Sequence, residues 1–203
     1  MMAKRTHMKE KNINETTISI LYPFLNNYKK RIHFRELSRL SNLDTKTLQR
    51  QIKTLEMFNI VKYKFSGRHK EFYLNLENLI TRDFLILAEI MKTIKFLVRN
   101  FEIRKICQEI NIDSCIVLFG SYAKEKADEN SDIDLFVIGN RINKKIIEKI
   151  QKIYGKKISQ KVISEKSFQK LLKEKNPLIM EILDYHIILN KFDFFVNLIF
   201  KYG

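Results

Sequence analysis

The stretch IVLFGSYAKEKADENSDIDLFVIG, residues 116–139, limits what this chain can fold into more than any other part of it. Ile116-Val117-Leu118-Phe119 is an apolar run of strand length that ends on Gly120-Ser121. A glycine there lets the backbone turn closely into a helical segment whose first N–H groups are free, which suits a phosphate. Ten residues then separate Ser121 from Asp132, room for one helical segment and a return. In SDIDLFVI, Asp132 and Asp134 alternate with Ile133 and Leu135, so on a strand both carboxylates point to one side. Two carboxylates opposite a phosphate-binding turn are what a divalent ion and a triphosphate require. Lys124 is a candidate phosphate contact, with an ordinary solvated side chain as its alternative.

The pair Gly120-Ser121, the spacer and Asp132-Ile133-Asp134 together resemble the polymerase-beta-like nucleotidyltransferase superfamily, in particular its small archaeal and bacterial members, over about residues 101–190. That resemblance implies an α/β palm-type domain. It implies that Gly120 and Ser121 position the nucleotide, that Asp132 and Asp134 are the metal-binding and catalytic pair, and that Ser131 is the small residue before the first acid. It also implies Mg²⁺ or Mn²⁺, an NTP with ATP as the expected one, and transfer of a nucleoside monophosphate to an acceptor hydroxyl. Two departures stand out. Active members carry a third carboxylate on a later strand, whereas Lys157–Ile163 offers Ser159 and Gln160, and no Asp or Glu lies between Glu148 and Glu165. Glu165 lies just past that strand. Position 125 is Glu where small members have Gly.

The N-terminal part reads differently. Ile18, Leu21 and Leu25 mark one helix face interrupted by Pro23, and Ile32 and Phe34 form a short connector before a helix over Arg35–Leu40. Ser41–Asp44 is a turn whose Asp44 caps a third helix, with Leu48, Ile52 and Leu55 on one face and Lys46, Thr47, Arg50 and Lys53 on the others. A strand from Ile60 to Phe65, a basic loop Ser66–Lys70 and a returning strand Glu71–Leu74 predict a hairpin. This order resembles the winged helix-turn-helix family over residues 14–76. The resemblance implies that Thr47, Arg50 and Lys53 face double-stranded DNA, with Lys46 beside them, and that Arg68 and Lys70 contact phosphate. A protein-interaction role with these cations merely solvated is the alternative.

The expected architecture is therefore multidomain: a mostly helical winged helix-turn-helix unit, linking helices over 77–110, and an α/β nucleotidyltransferase unit over 111–203. Leu79 to Arg99 predicts one long apolar helix that either pairs two copies in a homodimer or bridges the units within a chain. Phe101–Ile110 predicts another helix, ended by Asn111. Beyond the motif, helices are expected over Asn143–Tyr154, Ser167–Lys175, Leu178–Leu183 and Lys191–Tyr202, with Tyr185–Leu189 a strand or more helix. His186 reads as a structural side chain.

Charge and composition bound the partners. Formal net charge is +15, and residues 1–75 hold 16 Lys/Arg against 6 Asp/Glu, the footprint of a polyanion-binding module. The opening MMAKRTHMKEKNINE lacks the apolar core of a secretory signal, and no apolar run reaches membrane-spanning length. Cys107 and Cys115 are too few for a disulfide scaffold or zinc knuckle, and a reducing cytoplasm is expected. Two functions remain open: a DNA-associated transferase, or a non-catalytic transcriptional regulator or antitoxin-like protein with a degenerate domain. The nucleotidyltransferase resemblance also admits an all-helical toxin-like partner.

Overall fold

The computed structural model describes residues 12–110 and 112–202. The reading of the N-terminal fifteen residues as lacking a signal falls largely outside them, as does the assignment of Asn111 as a helix terminator. Among the described residues no helix is long and apolar enough to cross a membrane.

Two sheets organise the chain. The first is three-stranded and antiparallel, in the order β1 (Ile32–His33), β3 (His69–Leu74), β2 (Val61–Ser66). Around it lie α1 (Glu15–Ser19), α2 (Phe34–Ser41) and α3 (Thr45–Met57). Pro23 does not kink a long first helix. It stands at the start of a separate 3-10 turn, Tyr22–Phe24, because its ring supplies no N–H to extend α1. The connector at Ile32 is a strand, since Ile32 pairs with Phe72 and buries its side chain. Asn42 closes α2 in the left-handed conformation, φ 52°, where asparagine is tolerated. Asp44 then caps α3 by accepting from the Lys46 and Thr47 amides. The hairpin loop is shorter than its sequence suggests: Ser66 pairs with His69, leaving Gly67 at φ 60° and Arg68 as the turn.

The second sheet has the order β6 (Ile158–Ile163), β5 (Ile133–Ile138), β4 (Cys115–Phe119), β7 (Ile187–Ile188). β5 is antiparallel to β4 and parallel to β6, and β7 is antiparallel to β4. The parallel pair needs a crossover, supplied by α7 (Lys144–Tyr154), which Asn143 caps and Gly155 ends. Ile133, Leu135 and Val137 point into one apolar cluster together with Ile103 and Ile106 of α5 (Phe101–Glu109) and Ile147 and Ile150 of α7. Phe136 and Ile138 point to the opposite face, against Phe168 of α8 (Glu165–Lys173) and Phe195 of α10 (Phe192–Tyr202). That second cluster continues without interruption to Leu37, Leu48, Leu55 and Phe72 of the first sheet's surroundings. This N-terminal, mostly helical region plus a C-terminal α/β unit is the fold class the sequence predicts.

The element joining them is α4 (Leu79–Arg99). Asn78 caps it and also donates to the Phe58 and Asn59 carbonyls, which ties its start to the end of α3. Leu85 and Ala88 enter the shared cluster, Phe96 enters the other, and the Thr93 hydroxyl donates to the Ile188 carbonyl of β7 at 2.8 Å. Glu89, fully buried, meets His186 Nε2 at 2.8 Å, while His186 Nδ1 donates to the Leu183 carbonyl at 2.9 Å. With Nδ1 so engaged, Nε2 reaches the carboxylate only with a proton between them. Burial acts to raise the Glu89 carboxyl, but the charges of His186 and Lys92 outweigh it and hold the group below its ordinary value.

Truncating one member of a buried charged pair strands the other. Glu89→Ala is therefore expected to cost about 3–5 kcal/mol in urea unfolding at pH 7. Replacing both members by apolar residues, Glu89→Leu with His186→Phe, should recover most of that. A single-variant loss under about 1 kcal/mol would rule out the pair as the junction's main polar tie. Because the folded carboxyl sits low, its contribution is present above the ordinary glutamate range and fades as pH falls through the folded value.

Candidate active site

The motif residues meet where β4 ends and β5 begins. Phe119 is paired with Asp134 across the antiparallel ladder, so the residue after Phe119 lies beside the Asp134 carboxylate. That residue is Gly120, at φ 72°, and a Cβ built on it would stand 2.5 Å from Asp134 Oδ2. Two constraints thus select glycine, a left-handed backbone and a carboxylate packed onto the Cα. From Gly120 the chain makes a single helical turn, α6 (Gly120–Ala123), which brings Ser121 next to the same edge. Lys126 N–H returns to the Ser121 carbonyl at 2.9 Å and closes the turn.

The approach to Asp132 is set by a local polar turn. The Asp128 amide donates to Ser131 Oγ at 2.8 Å, and Ser131 Oγ donates to Asp128 Oδ1 at 2.9 Å. The Ser131 hydroxyl and nearby backbone amides hold the Asp128 carboxyl below its usual value. The small Ser131 hydroxyl therefore locks the return of the chain before β5. Ile133 is buried behind the dyad while Asp132 and Asp134 stay half-buried at the surface.

Cations surround the acids. Lys157 Nζ donates to Asp132 Oδ2 at 2.8 Å, an exposed, solvent-screened pair easily exchanged for another cation. Lys124 does not stand free at the turn: its Nζ is 2.6 Å from Glu181 Oε1 of α9 (Pro177–Asp184) and lies over the Tyr185 ring. Lys161 lies on the dyad's side of the sheet, because β5 and β6 pair Asp134 with Ser159 and Phe136 with Lys161. Burial first, then the charge of Asp132, raise the Asp134 carboxyl above its ordinary value, with Lys161 and Lys157 opposing.

Sequence reasoning missed Lys157, Lys161 and Glu181. The lysines are indistinguishable from their many neighbours in a lysine-rich chain, and Glu181 lies far along it from Lys124, so only the packing of α9 brings them together. Glu165 is not a displaced third acid. It opens α8 at the other end of the sheet, beside Ser114 and Gly139. On β6 the position level with Asp134 is Ser159, Lys157 just before the strand pairs with Asp132, and among the described residues no group of three or more Asp, Glu, His or Cys side chains gathers in a way that holds a metal ion. Two carboxylates nevertheless fit one magnesium ion, which takes few protein ligands and completes its shell with phosphate and water. Glu125 adopts φ 54°, which explains the glycine expected there, and the Arg99 guanidinium anchors it at 2.9 Å.

The DNA-facing candidates divide by environment. Lys46, Arg50 and Lys53 are exposed along α3 and Thr47 is half-buried, while Arg68 is exposed at the hairpin tip. Lys70 instead lies against the hairpin, its Nζ 3.7 Å from the Tyr63 ring centre. Burial pushes the Cys107 and Cys115 thiols up to about 12, so both are unreactive packing groups.

A carboxyl held above its ordinary value opposes folding where it ionises, so stability associated with Asp134 falls as pH rises through that range. Asp134→Asn is accordingly expected to melt at the same temperature as the parent or higher at pH 7. A clearly lower melting temperature in scanning calorimetry would mean that the carboxylate is a structural group.

Residues 102–189 match the family model described as nucleotidyltransferase domain. A relative from Methanocaldococcus jannaschii, named "Putative protein adenylyltransferase MJ1305", is 37% identical over 40% of this chain. The match takes in 62% of that relative's own length. No solved structure matches the chain. The strand–turn–Asp-x-Asp edge lies within the matched range, and the C-terminal α/β unit of this chain matches the polymerase-beta-like nucleotidyltransferase family.

Proposed function

We propose that the C-terminal unit binds a magnesium–NTP complex, with ATP as the expected nucleotide, and transfers its nucleoside monophosphate to an acceptor hydroxyl. The observation that carries this reading is the contact of the Asp134 carboxylate with the Gly120 Cα. It sets an acidic group directly against a turn whose glycine leaves the backbone bare enough to approach a triphosphate. Asp132 and Asp134 would hold the divalent ion, whose chemistry there is to neutralise phosphate charge and polarise the reacting phosphorus. Gly120 and Ser121 align the phosphate chain, and Lys161 adds positive charge on the same side of the sheet. In the transfer, the acceptor oxygen bonds to the α-phosphorus and the bond to the bridging oxygen breaks. Pyrophosphate leaves with the α–β bridging oxygen, and the hydroxyl proton passes to solvent water. The name of the M. jannaschii relative makes a protein hydroxyl the first acceptor class to try.

A second reading, nucleotide binding without transfer, is favoured by a specific observation. Ser159 pairs with Asp134 and Lys157 with Asp132, and the next β6 residue on that face is Lys161, so no carboxylate there is available to take the acceptor's proton. Both readings require the dyad. Calorimetry should detect MgATP binding by the wild-type chain and a loss of at least tenfold in affinity in Asp132→Asn/Asp134→Asn. Label from α-phosphate-labelled ATP, but not γ-labelled, should then appear on an acceptor protein. Binding with no α-label on any acceptor supports the second reading, and equal binding by the double variant discards the site.

The N-terminal region is proposed to be a winged helix-turn-helix module that places α3 in the major groove of double-stranded DNA with the hairpin on the flanking backbone. Its support is the exposed Lys46, Arg50 and Lys53 along one helix and Arg68 at the hairpin tip. Arg50→Ala/Lys53→Ala should lower affinity for duplex DNA roughly tenfold or more and flatten its dependence on salt by about two phosphate contacts in fluorescence anisotropy. An unchanged salt slope would remove α3 from the interface.

A further inference from the structure

The face of α4 turned away from the junction is apolar. Ile80 is 48% exposed, Leu87 40%, Ile94 55% and Val98 67%, with Phe84 and Met91 between them, half-buried at the edge of the shared cluster. In order these six residues are separated by four, three, four, three and four positions, the spacing of a helix seam that buries itself against another helix. No charged residue interrupts the six. A lone bridging helix needs one buried face, and α4 already buries Leu85, Ala88, Glu89 and Phe96 on its other side.

We propose that this stripe is the interface of a two-fold symmetric dimer, α4 against α4 of a second copy, with the helices antiparallel. The stripe is complementary to its own reverse: Ile80 falls opposite Val98, Phe84 opposite Ile94 and Leu87 opposite Met91, each large residue meeting another. Charge selects the same direction. Near the start of α4 lie Glu77 and Asp83, the latter paired with Arg82, whereas Arg104 and Lys105 of α5 follow its far end, where Lys95 and Arg99 are paired with Glu15 and Glu125. A parallel pair sets like ends together, and an antiparallel pair sets the acids of one copy near the bases of the other.

The area is sufficient. A 21-residue helix is about 31 Å long and about 10–12 Å across, so the stripe alone offers on the order of 300–370 Å². Met57, Phe58 and Leu79 at one end and Phe101 at the other are exposed too, and add roughly 400 Å². Together these approach the ~800 Å² per partner of a standard stable interface. Pairing in this way presents the N-terminal module twice, related by the two-fold axis.

Light scattering on the full chain, between 1 and about 100 µM in moderate salt, tests the proposal without nucleotide or DNA. The expected mass is about 49 kDa, twice the 24.4 kDa of one chain. Leu87→Glu/Ile94→Glu should bring it down to a single chain while the circular dichroism spectrum and melting temperature stay unchanged, since both side chains are exposed. Direction is read by oxidation: copies with Ile80→Cys should crosslink to copies with Val98→Cys but not to themselves. A wild-type chain that stays at 24.4 kDa to the highest concentration overturns the proposal and leaves the stripe to a different protein. A double glutamate variant that remains dimeric moves the interface elsewhere, and self-crosslinking at position 80 overturns the antiparallel arrangement.

Discussion

The pair formed by Glu89 and His186 is the constraint around which the halves of this chain are arranged. A buried carboxylate is costly unless a partner of opposite charge and good geometry faces it, so α4 has few places it can lie relative to the segment before β7. Once Glu89 is engaged, Thr93 one turn further along the same face reaches the Ile188 carbonyl, and β7 is held against β4. The apolar residues around them then fill one continuous cluster shared by both sheets. Hydrophobic burial supplies most of the stabilisation, but it is non-directional, and the polar pair gives the junction its register.

That junction matters for the candidate site because β4 leads into the Gly120-Ser121 turn. Its side chains are buried on both faces, between α5 and α7 on one side and α8 and α10 on the other. A strand so held cannot slide, and the Gly120 Cα stays against Asp134. The acids themselves face outward in a strongly basic surrounding, with Lys157 bridging one of them and Lys161 near the other. This is a site whose resting charge is balanced by lysines that a bound divalent ion and triphosphate would redistribute. The Lys124–Glu181 pair belongs to the same charge balance, linking the turn to α9.

Much of this is legible in the residues. Gly120, Ser121, Asp132 and Asp134 are close in sequence and differ sharply from the apolar strands around them, so local pattern alone identifies them. Helices with strong periodicity and clear caps, such as α3 behind Asp44 and α7 behind Asn143, are equally plain. Less is visible where a single residue changes the outcome through a distant partner. Ile32–His33 is too short to read as a strand until Phe72 and Glu71 pair with it. The two-residue hairpin turn is obscured by a run of polar residues, and its length is set by the register of β2 against β3. Glu165 reads as a neighbour of the site in the linear chain, since nothing local tells which end of β6 it closes.

What the sequence determined by itself was the position of the Gly120-Ser121 turn and its paired acids, because strand alternation and a glycine's conformational freedom are local properties. Tertiary structure decided the electrostatic setting of those acids, the side of α4 that is buried, and the role of His186. Each of these depends on groups far apart in the chain, Glu89 and His186 or Lys124 and Glu181, and an interaction between such groups has no local signature. Its strength comes from the burial and distance that only the folded chain creates.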